Sequence, residues 1–253
     1  MGSNPFPTRG AKLNSAADTP AAIWHPSPNF GIRRDGLTPS LIVIHYTAMD
    51  SAAAALQRLC DPSVEVSAHY LIGGDGACWQ MVAEDQRAWH AGAGQWRGQD
   101  DINSRSIGIE LDNRGGHPFA EPQMAALESL LAGIMRRWSI PADGVIGHSD
   151  MAPGRKIDPG HKFDWKRLAR LGLCVWPAET AGQATELGWW HDYADSFGYP
   201  IFGFELDGVD DMEAASFQAF RDRFRPQARK IKHIENEDLR IIENLANQEF
   251  SKF

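Results

Sequence analysis

Cysteine is scarce in this chain. Its 253 residues hold three, Cys60, Cys78 and Cys174, widely spaced and odd in number. They form no CxxC pair and suggest no disulfide framework, so buried thiols in a reducing compartment are the expectation. Long apolar runs are missing too. No stretch approaches the ~18 apolar residues that span a bilayer, and Met1 to Gly10 carry no apolar core of the kind a secretory signal requires. The expectation is a cytoplasmic protein without a membrane span. A periplasmic or lipid-anchored location would follow only if Met1-Gly2-Ser3 stood in place of another leader. Basic residues are in the minority, 25 Lys and Arg against 33 Asp and Glu, for a formal charge of -8. That balance argues against a nucleic-acid partner, because phosphate neutralisation needs clustered cations. No internal repeat of fixed period is present.

What remains is an ordinary globular composition, 43% hydrophobic and 23% charged, long enough for one sizeable domain and a small one. Residues 1–38 carry Pro5, Pro7, Pro20, Pro26 and Pro28 among scattered Gly and Ser, and read as an extended arm. Residues 39–177 mix strands and helices around what reads as one sheet, an α/β architecture. Ser40 to Thr47 is a continuous β-branched run, as in a central strand covered on both faces. Ala68 to Ile72 and Cys78 to Val82 read as a hairpin across Gly73-Gly74-Asp75-Gly76, and Ser106 to Leu111 as another strand. Met124, Leu127, Leu130, Leu131, Ile134 and Trp138 repeat at helical spacing and predict a helix over 121–138. Residues 178–253 show three short amphipathic segments, a small helical module seamed by Phe217, Phe220 and Phe224.

The chemistry concentrates between Gly147 and Gly160. Pro153, Gly154, Pro159 and Gly160 exclude a continuous helix or central strand there. In such a shaped loop His148 and Asp158 can face one point, as two ligands of a divalent metal. Zinc suits imidazole nitrogen and carboxylate oxygen, provided a third ligand comes from elsewhere. His45, at the carboxyl end of its strand, is the candidate. The separations match no single-helix zinc motif such as HExxH, so spacing alone does not make the site.

The surroundings are more specific. In order along the chain stand Ile42-Val43-Ile44-His45-Tyr46-Thr47, Val66-Ser67-Ala68-His69-Tyr70, Ala88-Trp89-His90-Ala91-Gly92, Ser106-Ile107-Gly108-Ile109-Glu110-Leu111, Gly147-His148-Ser149-Asp150 and Pro153-Gly154-Arg155-Lys156-Ile157-Asp158-Pro159-Gly160. From about Ile23 to Pro177 that series resembles the zinc-dependent N-acetylmuramoyl-L-alanine amidases of the type 2 (peptidoglycan-recognition-like) family. The resemblance implies that His45, His148 and Asp158 bind Zn2+. It implies Glu110 as the catalytic carboxylate, moving a proton from water to the leaving amine, and Lys156 as the cation that stabilises the oxyanion. It further suggests substrate contacts from Arg155, Trp89, His90, Asn103 and Arg105, with His69 in a supporting place. Ala68 stands where phage and animal members often carry tyrosine, and Asp158 where they often carry cysteine. Both favour the bacterial branch.

The implied reaction is hydrolysis of the amide between N-acetylmuramic acid and L-alanine in peptidoglycan fragments, including 1,6-anhydro forms met in wall recycling. The alternative is a non-catalytic peptidoglycan-recognition protein, which would be expected to lack part of this residue set. The stretch Phe217 to Pro226 resembles a helix of the three-helix peptidoglycan-binding-like domain that often follows such amidases. Beyond Pro226 that likeness fades, and a helical cap covering apolar surface is the favoured reading of the module.

Overall fold

The continuous apolar run at Leu41–Tyr46 forms a central strand because neither of its faces meets water. The computed structural model describes residues 17–178 and 189–248. Within them lie the strands β1 (Ile23–Trp24), β2 (Phe30–Ile32) and β3 (Leu41–Tyr46), then helix α1 (Ala52–Leu59). Strands β4 (Tyr70–Ile72), β5 (Cys78–Gln80) and β6 (Gln86–Ala88) follow, then α2 (Ile102–Arg105) and β7 (Ser106–Leu111). Next come α3 (Glu121–Trp138), β8 (Val145–Gly147), α4 (His148–Met151) and α5 (Trp165–Arg170). The last three helices are α6 (Trp190–Phe197), α7 (Met212–Phe224) and α8 (Asn236–Ala246).

The main sheet is mixed, in the order β1-β5-β4-β7-β3-β8. Strand β3 pairs in parallel with both β7 and β8, while β4 and β5 form the antiparallel hairpin. The sequence places that hairpin correctly, with its first strand starting at Tyr70 rather than Ala68 and its second ending at Gln80 rather than Val82. The α/β architecture holds. Residues 17–38 are less separate than an arm, however. Ile23 and Trp24 extend the sheet by pairing with Trp79 and Gln80, and Phe30–Ile32 pairs antiparallel with β6 in a second, two-stranded sheet. Strands of two and three residues among prolines leave no alternation to read.

Alternate residues of β3 enter different cores. Ile42 and Ile44 join Ile107 and Ile109 against Leu127, Leu131 and Ile134 of α3. Leu41 and Val43, on the other face, join Trp96 and Met151 and then Trp190, Phe197, Phe220 and Leu245 of the last three helices. The module and the sheet therefore share one core. The phenylalanine seam read from the sequence points into it, with Phe220 fully buried. Residues 179–188 and 249–253 of the expected module, Leu187 among them, lie outside the described residues.

No helix among the described residues is long and apolar enough to cross a membrane.

Candidate metal centre and cleft

Parallel pairing gathers the polar residues at one edge of the sheet. In the β3–β7 register His45 sits opposite Glu110, and Ile44 sits opposite Gly147, the residue before His148. Three neighbouring strands thus deliver His45, Glu110 and His148 at their carboxyl ends, where open sheets form clefts. After the single turn of α4, the chain loops back and the Ser149 N–H donates to the carbonyl of Asp158 (2.9 Å). That bond holds Asp158 beside His148. Gly154, in the left-handed region at φ 77°, lies so close to the module that a Cβ would meet Val209 at 2.9 Å, a position only glycine occupies without strain.

The three ligand atoms lie in a near-equilateral triangle. His45 Nδ1 is 2.9 Å from His148 Nδ1, and Asp158 Oδ2 is 3.0 Å from each. All three residues are buried. The donor set fits a metal ion on its chemistry. His148 Nε2 lies 2.9 Å from the carbonyl oxygen of Ala91; a carbonyl only accepts, so the proton is on Nε2 and Nδ1 is bare. The edges of the triangle are close to the ~3.3 Å that separates ligands about 2.0 Å from a tetrahedral ion. Among the described residues these are the ones that could together hold a metal.

Burial sets the charges. It lowers His45 to about 4, helped by His148 and opposed by Asp158, so the ring is neutral and able to ligate at pH 7. Burial alone would raise Asp158, yet its carboxyl lies far below its ordinary range and stays ionised. Glu110 moves the other way. Burial and then the charge of Asp158 push it up to about 8, with Lys156 opposing. Its Oε2 is buried without a hydrogen-bond partner, an arrangement that a fold rarely keeps without use.

These residues line a cleft of 400 Å³ shared by His45, Glu110, His148, Lys156, Asp158, Trp89, His90 and Arg155, with Met49 and Arg58 on the α1 side. A larger cavity of 560 Å³ lies between α5 and the module, lined by Trp165, Trp176 and Arg223, and holds none of the triad. The cleft is the candidate site on chemistry, not on size.

Other residues singled out in the sequence take different places. Arg155 borders the cleft, but its Nη2 donates to the carbonyls of Ala91 (2.6 Å) and Ala93, so part of the guanidinium holds backbone. Asn103 does not line the cleft. It is buried, and its Oδ1 accepts the backbone N–H groups of His90 (3.0 Å) and Ala91 (2.9 Å). Arg105 also lies outside, bonded to Gln99. His69 is buried under the site, its Nδ1 accepting from the Gly108 N–H (3.0 Å) and its Nε2 3.1 Å from the Gln86 carbonyl. One group was not legible at all. Asp150, two residues past His148, accepts from the Gly147 N–H (2.7 Å), the Tyr199 hydroxyl (3.0 Å) and Arg223 Nη1 (2.5 Å). Partners 49 and 73 residues away leave no local signal.

The comparisons with known proteins agree with this geometry. A family model described as N-acetylmuramoyl-L-alanine amidase matches residues 24–161. The N-acetylmuramoyl-L-alanine amidase AmiD of Escherichia coli is 42% identical over 153 residues, 54% of this chain and 54% of that protein, so the match spans about half of each. The 1,6-anhydro-N-acetylmuramyl-L-alanine amidase AmpD of Escherichia coli is 35% identical over 163 residues, 58% of this chain and 89% of that one. Among solved structures, E. coli AmiD with the substrate anhydro-N-acetylmuramic acid-L-Ala-D-γ-Glu-L-Lys superposes with TM-score 0.72 at 32% identity, covering 83% of this chain and 90% of that chain. AmpDh3 of Pseudomonas aeruginosa with an anhydromuramic pentapeptide gives TM-score 0.72 at 28% identity, covering 93% and 97%.

Proposed function

Because the chain belongs to the N-acetylmuramoyl-L-alanine amidase family, we propose that it hydrolyses the amide joining the lactyl group of N-acetylmuramic acid to L-alanine. Its substrates are peptidoglycan fragments, including 1,6-anhydro-muropeptides, and its metal is zinc. The observation that carries this reading is the register that sets Glu110 beside His45, with one buried carboxylate oxygen left unpartnered at the triad. AmiD bound to an anhydro-muropeptide is the precedent for the substrate class.

His45, His148 and Asp158 hold the zinc, which when bound supplies Lewis acidity and lowers the pKa of water towards ~7. Glu110 takes a proton from the attacking water. Burial, which raises its pKa, lets the carboxyl hold that proton until it passes to the departing nitrogen of alanine. Lys156, across the same cleft, faces the negative charge that grows on the carbonyl oxygen. The amide C–N bond breaks, the lactyl carbon keeps the water oxygen as a carboxylate, and the stem peptide leaves with a free amino group. Trp89 offers an aromatic wall to sugar or peptide.

We read residues 189–248 as the backing of the amidase sheet rather than a separate glycan binder, since their aromatic seam is spent in the shared core. A non-catalytic recognition protein would have no use for a Glu110 whose Oε2 is buried without a partner beside the triad. The test is incubation of an anhydro-muropeptide with the purified protein. Release of free stem peptide that stops with chelator and returns with zinc supports the assignment. An intact lactyl–alanine amide in the presence of a zinc-loaded protein overturns it.

A further inference from the structure

A metal site built on imidazoles works only if the correct ring nitrogen is bare, and the ring's other nitrogen decides which one that is. For His45 that other nitrogen meets His90. His45 Nε2 is 2.9 Å from His90 Nδ1, and His90 Nε2 is 3.1 Å from Ser106 Oγ. Ser106 Oγ in turn lies 2.5 Å from the carbonyl oxygen of Ile102. The direction of the whole chain follows from its far end. The Ile102 carbonyl has no proton, so the one hydroxyl proton of Ser106 must point at it. Ser106 can then only accept from His90 Nε2–H. His90 Nδ1 is therefore bare and accepts from His45 Nε2–H, which leaves His45 Nδ1 free to face the triad.

We propose that His90 is a positioning residue of the metal centre, and that through Ser106 and the Ile102 carbonyl it fixes the tautomer in which His45 presents Nδ1. This inference rests on reading His45, His148 and Asp158 as the metal triad. It assigns His90 to the metal site instead of to substrate.

Two further features hold His90 to this task. Gly108 makes room for the ring, since a Cβ there would lie 2.6 Å from His90 Nδ1. Asn103 grips the backbone N–H groups of His90 and Ala91 together. The Ala91 carbonyl is the acceptor that fixes His148. One two-residue segment, tied down by one buried amide, thus orients both histidine ligands.

The experiment uses the full chain as wild type, His90→Phe and His90→Asn. Phenylalanine keeps bulk and removes the acceptor. Asparagine keeps an acceptor oxygen near the place of Nδ1. Imidazole tautomers are read by nitrogen NMR after chelation, and zinc affinity by competition with a chelating dye. The expected result is a wild-type His45 protonated on Nε2, a mixed His45 tautomer in His90→Phe, and a zinc affinity lowered about 10- to 100-fold. His90→Asn should recover affinity to within a few-fold. Wild-type His45 protonated on Nδ1 overturns the proposal, even if His90→Phe does not fold. So does a His90→Phe protein with unchanged affinity, or a loss that His90→Asn fails to recover. Zinc binding indifferent to His90 overturns this inference and leaves the triad standing. A tautomer set by His90 in a protein that takes up no zinc upholds the relay and removes the metal reading instead.

Discussion

Replacing Arg223 by methionine tests how far the helical module supports the metal loop. Arg223 is 3% exposed and Asp150 1%. The guanidinium donates to Asp150 Oδ2 (2.5 Å) and to the Val145 carbonyl (3.2 Å), and lies 4.1 Å over the Trp165 ring. Methionine fills much of the volume and leaves the carboxylate buried without its counter-charge. Losing one member of a buried pair costs about 3–5 kcal/mol. The lower end, about 3 kcal/mol, applies here because the Gly147 N–H and the Tyr199 hydroxyl still solvate Asp150. The charge is the source of the cost, so adding Asp150→Asn to Arg223→Met should return about 1–2 kcal/mol. Denaturant unfolding of wild type, both single variants and the double variant measures all four corners. Because Asp150 accepts the N–H of Gly147, zinc affinity of Arg223→Met should fall as well. An Arg223→Met cost below about 1 kcal/mol, or a double variant less stable than Arg223→Met alone, would refute the argument.

Three other outcomes follow from the same site. Burial holds His45 near 4, His69 near 3 and His90 well below 6.5, and pushes Glu110 up to about 8. Near pH 5.5 the unfolded chain binds three histidine protons that the fold refuses, while the fold keeps one on Glu110. The balance of about two protons makes the metal-free protein gain roughly 2.7 kcal/mol per pH unit as pH rises there. Above about pH 7 the histidines drop out and Glu110 alone reverses the slope, so unfolding curves should place maximum stability close to pH 7; a steady rise to pH 8 would contradict this. Gly108→Ala should cost about 1–3 kcal/mol by overpacking against His90 and weaken zinc binding, read by unfolding and by dye competition. Lys156→Met should keep its zinc and its KM while kcat falls about 10²- to 10³-fold, measured by steady-state release of stem peptide.

The sheet and the triad were legible because they depend on patterns that survive in one dimension. A run such as Ile42 to Ile44, apolar at successive positions, is a strand with two covered faces. The Pro and Gly between His148 and Asp158 bend ten residues back on themselves. Other features depend on partners distant in sequence. Asn103 read as a substrate contact through the resemblance, just ahead of the Glu110 strand, yet the backbone of His90 and Ala91 claims its oxygen. Trp89 and His90 are adjacent in sequence, and His90 turns its Nδ1 to His45 of the triad. Gly108 is an unremarked residue of a strand until the ring that crosses it is in view. The short strands at Ile23 and Phe30 pair only because β5 and β6 offer free edges. No periodicity encodes that.

The most direct measurement follows the water oxygen. An anhydro-muropeptide is incubated in ¹⁸O-labelled water with wild type and with Glu110→Gln, each carrying one equivalent of zinc, and the products are weighed by mass spectrometry. The expected wild-type products are a lactyl carboxylate carrying the label and an unlabelled free stem peptide. The Glu110→Gln rate should be at least about a hundredfold lower at equal zinc content. Cleavage at any other bond, or a Glu110→Gln protein as fast as wild type, would contradict it.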